Sequence, residues 1–246
     1  MTWTEQVLLH ASGLGDRAAV RDVRSGTVLT YARFAHRVTH AAAGLRGRGL
    51  RPGDPLVFDL PPGCALPLAV HAAAWAGALV LLGGSGGRPH RLAISHGRRA
   101  MTDTGAQEVF TFDQTPGTTP FADLTGHGEV EFGPIAGPAL AYPGEPLRSL
   151  ADMAAERRRV AARGLFGMDD VVLAAITDTR RLLALLDVAF MAGARVVIAH
   201  EPTLVGCRVL AAEYEATVVV APRELGRRLS RGIAPRVLDD TLGGGL

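Results

Sequence analysis

No lysine occurs in the 246 residues, so all 26 basic side chains are arginines. Chemistry that needs a compact ammonium group is excluded, because arginine's planar fork has a different shape. Asparagine is also missing, while Ala, Gly, Arg and Pro are abundant. A GC-rich genome encodes that usage, which explains part of the missing lysine. Only two cysteines are present, Cys64 and Cys207, far apart and outside any motif spacing. Neither a disulfide framework nor a zinc site follows, and a reduced, cytoplasmic protein is expected. Aromatic residues make up 5% of the chain and no basic stripe interleaves with them. With mixed charge signs and a formal net charge of +2, nucleic-acid binding is not indicated. The apolar run from Ala65 to Leu82 contains His71 and is broken by Pro67 and Gly77. It reads as a helix followed by a strand, not as a membrane span. Glu5 and Asp16 stand where a secretory leader would be basic and then apolar, so none is expected. No short-period repeat or heptad is found.

What is present is a globular pattern. Hydrophobic residues make up 48% and charged residues 20%, enough for a large buried core. A hairpin is predicted over 19–23 and 27–30, turning at Ser25-Gly26. Thr30 can cap a helix over 31–46, with Phe34, Val38, Ala41, Ala42 and Leu45 on its apolar face. A strand at 56–60, a helix at 64–76, a strand at 78–82, a helix at 89–103 and a strand at 109–112 follow. Residues 113–137, rich in Gly, Pro, Thr and Asp, read as a connector. The alternation resumes with a strand at 139–142 and a helix at 147–163 that turns Leu147, Leu150, Met153, Ala154, Val160 and Ala161 inward. Within it, Arg157 to Arg159 read as a solvated face. Strands are predicted at 171–176, 195–199 and 217–220, with helices at 180–192, 202–214 and 222–231. Short, continuous, β-branched strands suit parallel sheets covered on both faces. The expected fold is a layered α/β protein with mostly parallel sheets, in two lobes at 1–137 and 138–246.

Two places invite chemistry. Gly83, Gly84, Ser85, Gly86 and Gly87 follow a strand and fit the Gly-x-Ser-x-Gly nucleophile-elbow pattern. Ser85 would attack a carbonyl, with His200 as base and Asp178 or Asp187 orienting it. The same loop could hold an anion, assisted by Arg88 and Arg91, or could simply turn the chain. His36 and His40 share a helix face, but Arg37 stands where a zinc protease needs Glu, so they read as surface histidines. His71 and His96 belong to no motif. No metal or other cofactor is expected.

The stretch "LTYARFAHRVTHAAAGLRGRGLRPGDPLVFDLPPG" resembles the opening of the adenylate-forming superfamily: acyl-CoA synthetases, peptide-synthetase adenylation domains and luciferases. Tyr31, Leu45, Gly49, Pro52, Gly53 and Asp54 carry the match. "AVHAAAWAGALVLL", "DDVVLAAI", "MAGARVVIAH" and "EYEATVVVAPRELGRRL" are similar to the elements that follow, in the family's order. The resemblance implies a phosphate loop of the form "SSGTTG.PKG" before "DDVVL". Here that interval is Tyr142-Pro143-Gly144-Glu145-Pro146-Leu147-Arg148-Ser149. The loop's serine and threonine hydroxyls, most of its glycines and its lysine are gone, two prolines remove donors, and Glu145 adds a negative charge. Thr115-Pro116-Gly117-Thr118-Thr119-Pro120 is similar in composition to a phosphate loop, but lies too early and reads as a turn-forming linker. Gly243, Gly244 and Gly245 resemble the start of the family's "gGa.L" stretch, which helps to hold adenine and the acyl group.

Beyond that stretch the resemblance implies a magnesium motif, a ribose-binding aspartate and a C-terminal catalytic domain with its lysine, none of which is in this sequence. The expectation is a truncated adenylation-like protein that is not an independent ATP-dependent ligase. Its expected partner is a protein, such as a carrier protein, a complete adenylating enzyme or a second copy, or else an acyl or aromatic small molecule. Half of a split ligase completed in trans, the Ser85 hydrolase or acyltransferase, and a remnant without a role are the alternatives.

Overall fold

Local capping starts several helices where the sequence places them. The structure, a computed structural model, describes residues 1–246 except 84–89, 98–104, 114, 129–137, 143, 233–234 and 243–246, together with the side chains of residues 12 and 138. Thr2 and Glu5 form a capping box over α1 (Trp3–Leu8), and a short α2 (Ala11–Leu14) follows. The hairpin β1 (Ala18–Asp22) and β2 (Val28–Thr30) leads into α3 (Tyr31–Gly47). The Thr30 side chain accepts from the Arg33 amide, and the predicted apolar face is buried. Next come β3 (Pro55–Asp59), α4 (Ala65–Ala76), β4 (Leu79–Leu82), β5 (Leu92–Ser95), β6 (Glu108–Thr111), β7 (Thr119–Pro120) and a 3₁₀ segment (Phe121–Gly126). Then follow β8 (Pro138–Ala141), β9 (Arg148–Ser149), α5 (Leu150–Ala161), β10 (Val171–Ala174), α6 (Thr179–Met191) and β11 (Arg195–Ile198). The last are α7 (Leu204–Glu213), β12 (Val218–Ala221), α8 (Arg223–Leu229) and β13 (Arg236–Asp239).

Two mainly parallel sheets result. One has the order β13-β12-β10-β11-β1-β2, the other β7-β6-β5-β3-β4-β8-β9. Among the described residues, only β1/β2 and β8/β9 pair antiparallel. The largest buried cluster among the described residues draws on both sheets and on the helices between them, and two smaller clusters lie on the other faces of the sheets. This is the layered α/β fold that the strand–helix alternation predicts. Sheet membership does not follow chain order, however. The 18–30 hairpin joins the sheet built from 171–239, and β8 and β9 complete the sheet built from 55–120.

Four local expectations are corrected. The segment 89–103 was expected to be helical, but Leu92–Ser95 is a strand buried at all four positions. A short apolar run covered on both faces carries no periodicity to tell strand from helix. Part of the 113–137 connector is folded: Thr119–Pro120 pairs with β6, and Phe121 and Leu124 are buried. Leu147 points outward, 56% exposed, whereas Arg157 is buried.

Arg157 is buried because it belongs to a polar network between the sheets. Asp187 of α6, itself fully buried, accepts from Trp3 Nε1 and from Arg157 Nε, each at 2.8 Å. His71 Nε2 lies 3.0 Å from its other oxygen, and His71 Nδ1 lies 3.2 Å from the Thr4 hydroxyl. Burial works against the Asp187 charge, but Arg157 and His71 outweigh it and hold the carboxyl below its ordinary range. Four helices, α1, α4, α5 and α6, meet at this one carboxylate.

Candidate functional site

In open α/β sheets ligands bind beyond the carboxyl ends of parallel strands. Two of the cavities among the described residues that lie there matter here. One, of about 380 Å³, sits beyond the ends of β3, β4, β8 and β10, lined by Asp59, Gly83, Tyr142, Thr177, Asp178 and Arg180. The other, of about 290 Å³, sits beyond the ends of β1, β3, β6 and β11. No helix among the described residues is long and apolar enough to cross a membrane.

Of the interval 142–149, which the resemblance aligns with a phosphate loop, Tyr142 lines the first cavity. Glu145 forms an ion pair with Arg180, and Arg148 with Glu156. The Arg180 guanidinium also lies 5.1 Å from the Tyr142 ring centroid. The Ser149 hydroxyl is occupied as the N-cap of α5, accepting from the Asp152 amide at 3.1 Å and donating to the Asp152 carboxylate at 2.7 Å. Asp178 is likewise the N-cap of α6, accepting from the Arg181 amide at 2.8 Å. The Tyr142 hydroxyl is buried and has no hydrogen-bond partner among the described residues. Burial pushes the phenol up to about 12, partly opposed by Arg157.

The second cavity corrects the predicted triad. His200 Nε2 lies 2.7 Å from Asp22 Oδ1, so Asp22 orients it, not Asp178 or Asp187. Asp187 is committed to the buried network and Asp178 to its helix cap. Ser85, with Gly84, Gly86, Gly87 and Arg88, lies outside the described residues, as do Gly243, Gly244 and Gly245. Gly83 lines the Tyr142 cleft. Arg91 is spent on the Arg48 and Gly49 carbonyls, at 2.9 and 3.0 Å. His36 and His40 stack at 3.9 Å, and no group of three or more metal-ligand side chains occurs among the described residues. His96 faces Asp113 at 3.1 Å.

Sequence reasoning missed Asp22, whose role comes from a β11–β1 pairing between distant parts of the chain. Its carboxylate also accepts from the Ser25 amide at 3.1 Å and the Cys64 amide at 3.2 Å. Burial opposes its charge, but the Ser25, His200 and Cys64 donors hold the carboxyl below its ordinary value of 3.8. A depressed folded-state value stabilises above the unfolded value, and the contribution is lost as pH falls through the folded one. An Asp22→Asn variant should therefore lose less stability than the parent on acidification from about pH 5 to 3, read by urea unfolding. An equal loss in both proteins would contradict this assignment. Burial, with Asp22 behind it, pushes the Cys64 thiol up, so Cys64 is a wall of the cavity and not a nucleophile.

The profile of the AMP-binding enzyme family matches residues 9–136, just over half of the chain. The chain belongs to that family. Among curated AMP-binding relatives, a salicyl-AMP ligase / salicyl-S-ArCP synthetase of Mycobacterium tuberculosis (strain ATCC 25618 / H37Rv) is 36% identical over 105 residues, 41% of this chain and 19% of that protein. The apo structure of Mycobacterium smegmatis MbtA superposes with a TM-score of 0.79 at 20% identity, covering 97% of this chain and 51% of that one. A benzoate CoA ligase from Burkholderia xenovorans LB400 gives a TM-score of 0.76 at 18% identity, covering 97% and 60%. At those identities the two superpositions establish the fold alone. The chain spans less than two thirds of the length of each of these three proteins.

Proposed function

We propose that this AMP-binding family member is an adenylation-type scaffold that does not adenylate by itself and works by binding, in acyl or small-molecule biosynthesis. Its target is a small acyl or aromatic acid, or a protein such as a carrier protein, a complete adenylating enzyme or a second copy. One observation carries the reading. At the phosphate-loop position, Glu145 and Arg148 are tied to Arg180 and Glu156, and the Ser149 hydroxyl is used as a helix cap. A phosphate cradle needs free backbone N–H groups and uncommitted positive charge. Here the positive charge is neutralised, and no lysine exists to replace it.

The test is a pair of measurements on the purified chain: calorimetric titration with ATP, and exchange of labelled pyrophosphate into ATP with a panel of acyl and aromatic acids. No saturable heat and no exchange above background are expected. Saturable ATP binding, or exchange by the chain alone, would overturn the proposal.

A further inference from the structure

We propose that His36 and His40 of α3 form a binding site for a late first-row divalent metal ion, with Cu²⁺ held most tightly. The inference goes beyond the binding role proposed above and rests on a different part of the molecule. It involves neither ATP nor an organic acid.

The helix sets the spacing. Positions i and i+4 lie on one face, with Cβ atoms about 5–6 Å apart. Phe34, Val38, Ala41 and Leu45 anchor the other side of α3 in the core, so both imidazoles are carried by a fixed element. Their rings already stack, with 3.9 Å between centroids and 21° between planes. Two nitrogens bound to one metal, each at about 2.0–2.1 Å, stand about 3 Å apart. The remaining adjustment is a turn about the last side-chain torsion, which is soft for histidine.

A second observation fixes a lone pair. His40 Nδ1 bonds to the backbone carbonyl oxygen of His127. A carbonyl can only accept, so Nδ1 carries the proton and Nε2 the lone pair. Metal-binding histidines are oriented in this way, with one ring N–H on a carbonyl and the other nitrogen on the metal. The fold provides the contact. The segment 121–126 packs so closely on α3 that a Cβ at Gly44 would lie 2.3 Å from the Leu124 carbonyl oxygen, and this packing brings His127 alongside His40.

The donor set selects the ion. Imidazole nitrogens suit copper, nickel and zinc, whereas magnesium and calcium take oxygen ligands. Arg33 and Arg37 flank His36 in the sequence and oppose any cation. Bond strength therefore decides rather than charge attraction, and Cu²⁺ leads the divalent order. Arg37 rules out a zinc protease, which needs a Glu base there, but holding a metal requires only the two histidines. Two protein ligands leave positions open to water or to a donor from a binding partner.

The test is titration of the untagged chain at neutral pH with Cu²⁺, Zn²⁺ and Mg²⁺. It is read by calorimetry and, for Zn²⁺, by NMR of the histidine ring protons. The first equivalent of Cu²⁺ should bind saturably, Zn²⁺ more weakly and Mg²⁺ not at all. Zn²⁺ should move the His36 and His40 signals together. His36→Ala and His40→Ala, neither on the buried face of α3, should each weaken Cu²⁺ by about tenfold or more, because the second imidazole no longer acts from within the same molecule. His96→Ala removes another exposed histidine, one beside a carboxylate, and should leave Cu²⁺ binding unchanged. The proposal is overturned if the first equivalent of Cu²⁺ does not saturate, if either α3 variant binds as the parent does, or if His96→Ala weakens binding as much as His36→Ala. Because ATP is absent from every arm, failure here leaves the ATP result standing, and the reverse also holds.

Discussion

Replacing Asp187 with leucine is expected to destabilise the fold by about 3–5 kcal/mol, the cost of leaving a buried partner charge uncompensated. Domains of ordinary stability have about 5–15 kcal/mol in total, so the single variant should sit near the edge of folding. The large effect arises from what is left behind. Arg157 would keep its guanidinium between the helices with its main acceptor gone, and Trp3 Nε1 and His71 Nε2 would lose theirs. Removing both charges is a different experiment. In an Arg157→Met/Asp187→Leu double variant no buried charge is orphaned, and well-packed apolar replacements of ion pairs are often neutral or stabilising. Urea unfolding of the parent, the two single variants and the double closes the cycle. The double should be clearly more stable than Asp187→Leu alone. A double as unstable as the sum of the singles would mean that Arg157 and Asp187 do not depend on each other.

Gly44→Ala should cost about 1–3 kcal/mol or more, the range for overpacking a tight contact, although alanine is the better helix former. A Cβ there would lie 2.3 Å from the Leu124 carbonyl oxygen and 2.6 Å from its Cα. Those are backbone atoms of the 3₁₀ segment, so relief requires that whole segment to lift from α3. The control is Gly47→Ala in the same helix, where the nearest atom is His127 Cε1 at 3.7 Å. That variant should be stabilised by about 0.5–1 kcal/mol, as alanine lowers the entropy cost of helix formation. Opposite signs for one substitution at two positions of one helix would establish the contact. Matching signs would show that residues 121–126 do not rest on α3.

These two contacts also mark the limit of what the sequence makes legible. Elements with a local signature were predictable: Thr30 caps α3, Phe34 to Leu45 carry its stripe, and the runs 171–176 and 217–220 read as parallel strands, which fold as Val171–Ala174 and Val218–Ala221. The 121–126 segment was not, because its turn-rich composition hides two buried residues, Phe121 and Leu124. Arg157 looked like one of three solvated arginines, since the carboxylate that draws it inward lies 30 positions away. His200 was read as a base oriented by Asp178 or Asp187, yet its partner is set by sheet order, which brings Asp22 across from a distance of 178 positions. Charge pairs made by topology leave no spacing to read.

That same topology has a consequence for how the chain is made. Val20 of β1 pairs with Val196 of β11, so the hairpin that emerges early from the ribosome waits for a strand that emerges late. At ordinary synthesis rates the delay is on the order of ten seconds or more. Throughout it one edge of β1 has its backbone groups unsatisfied, open to a chaperone or to the same edge of a neighbouring nascent chain.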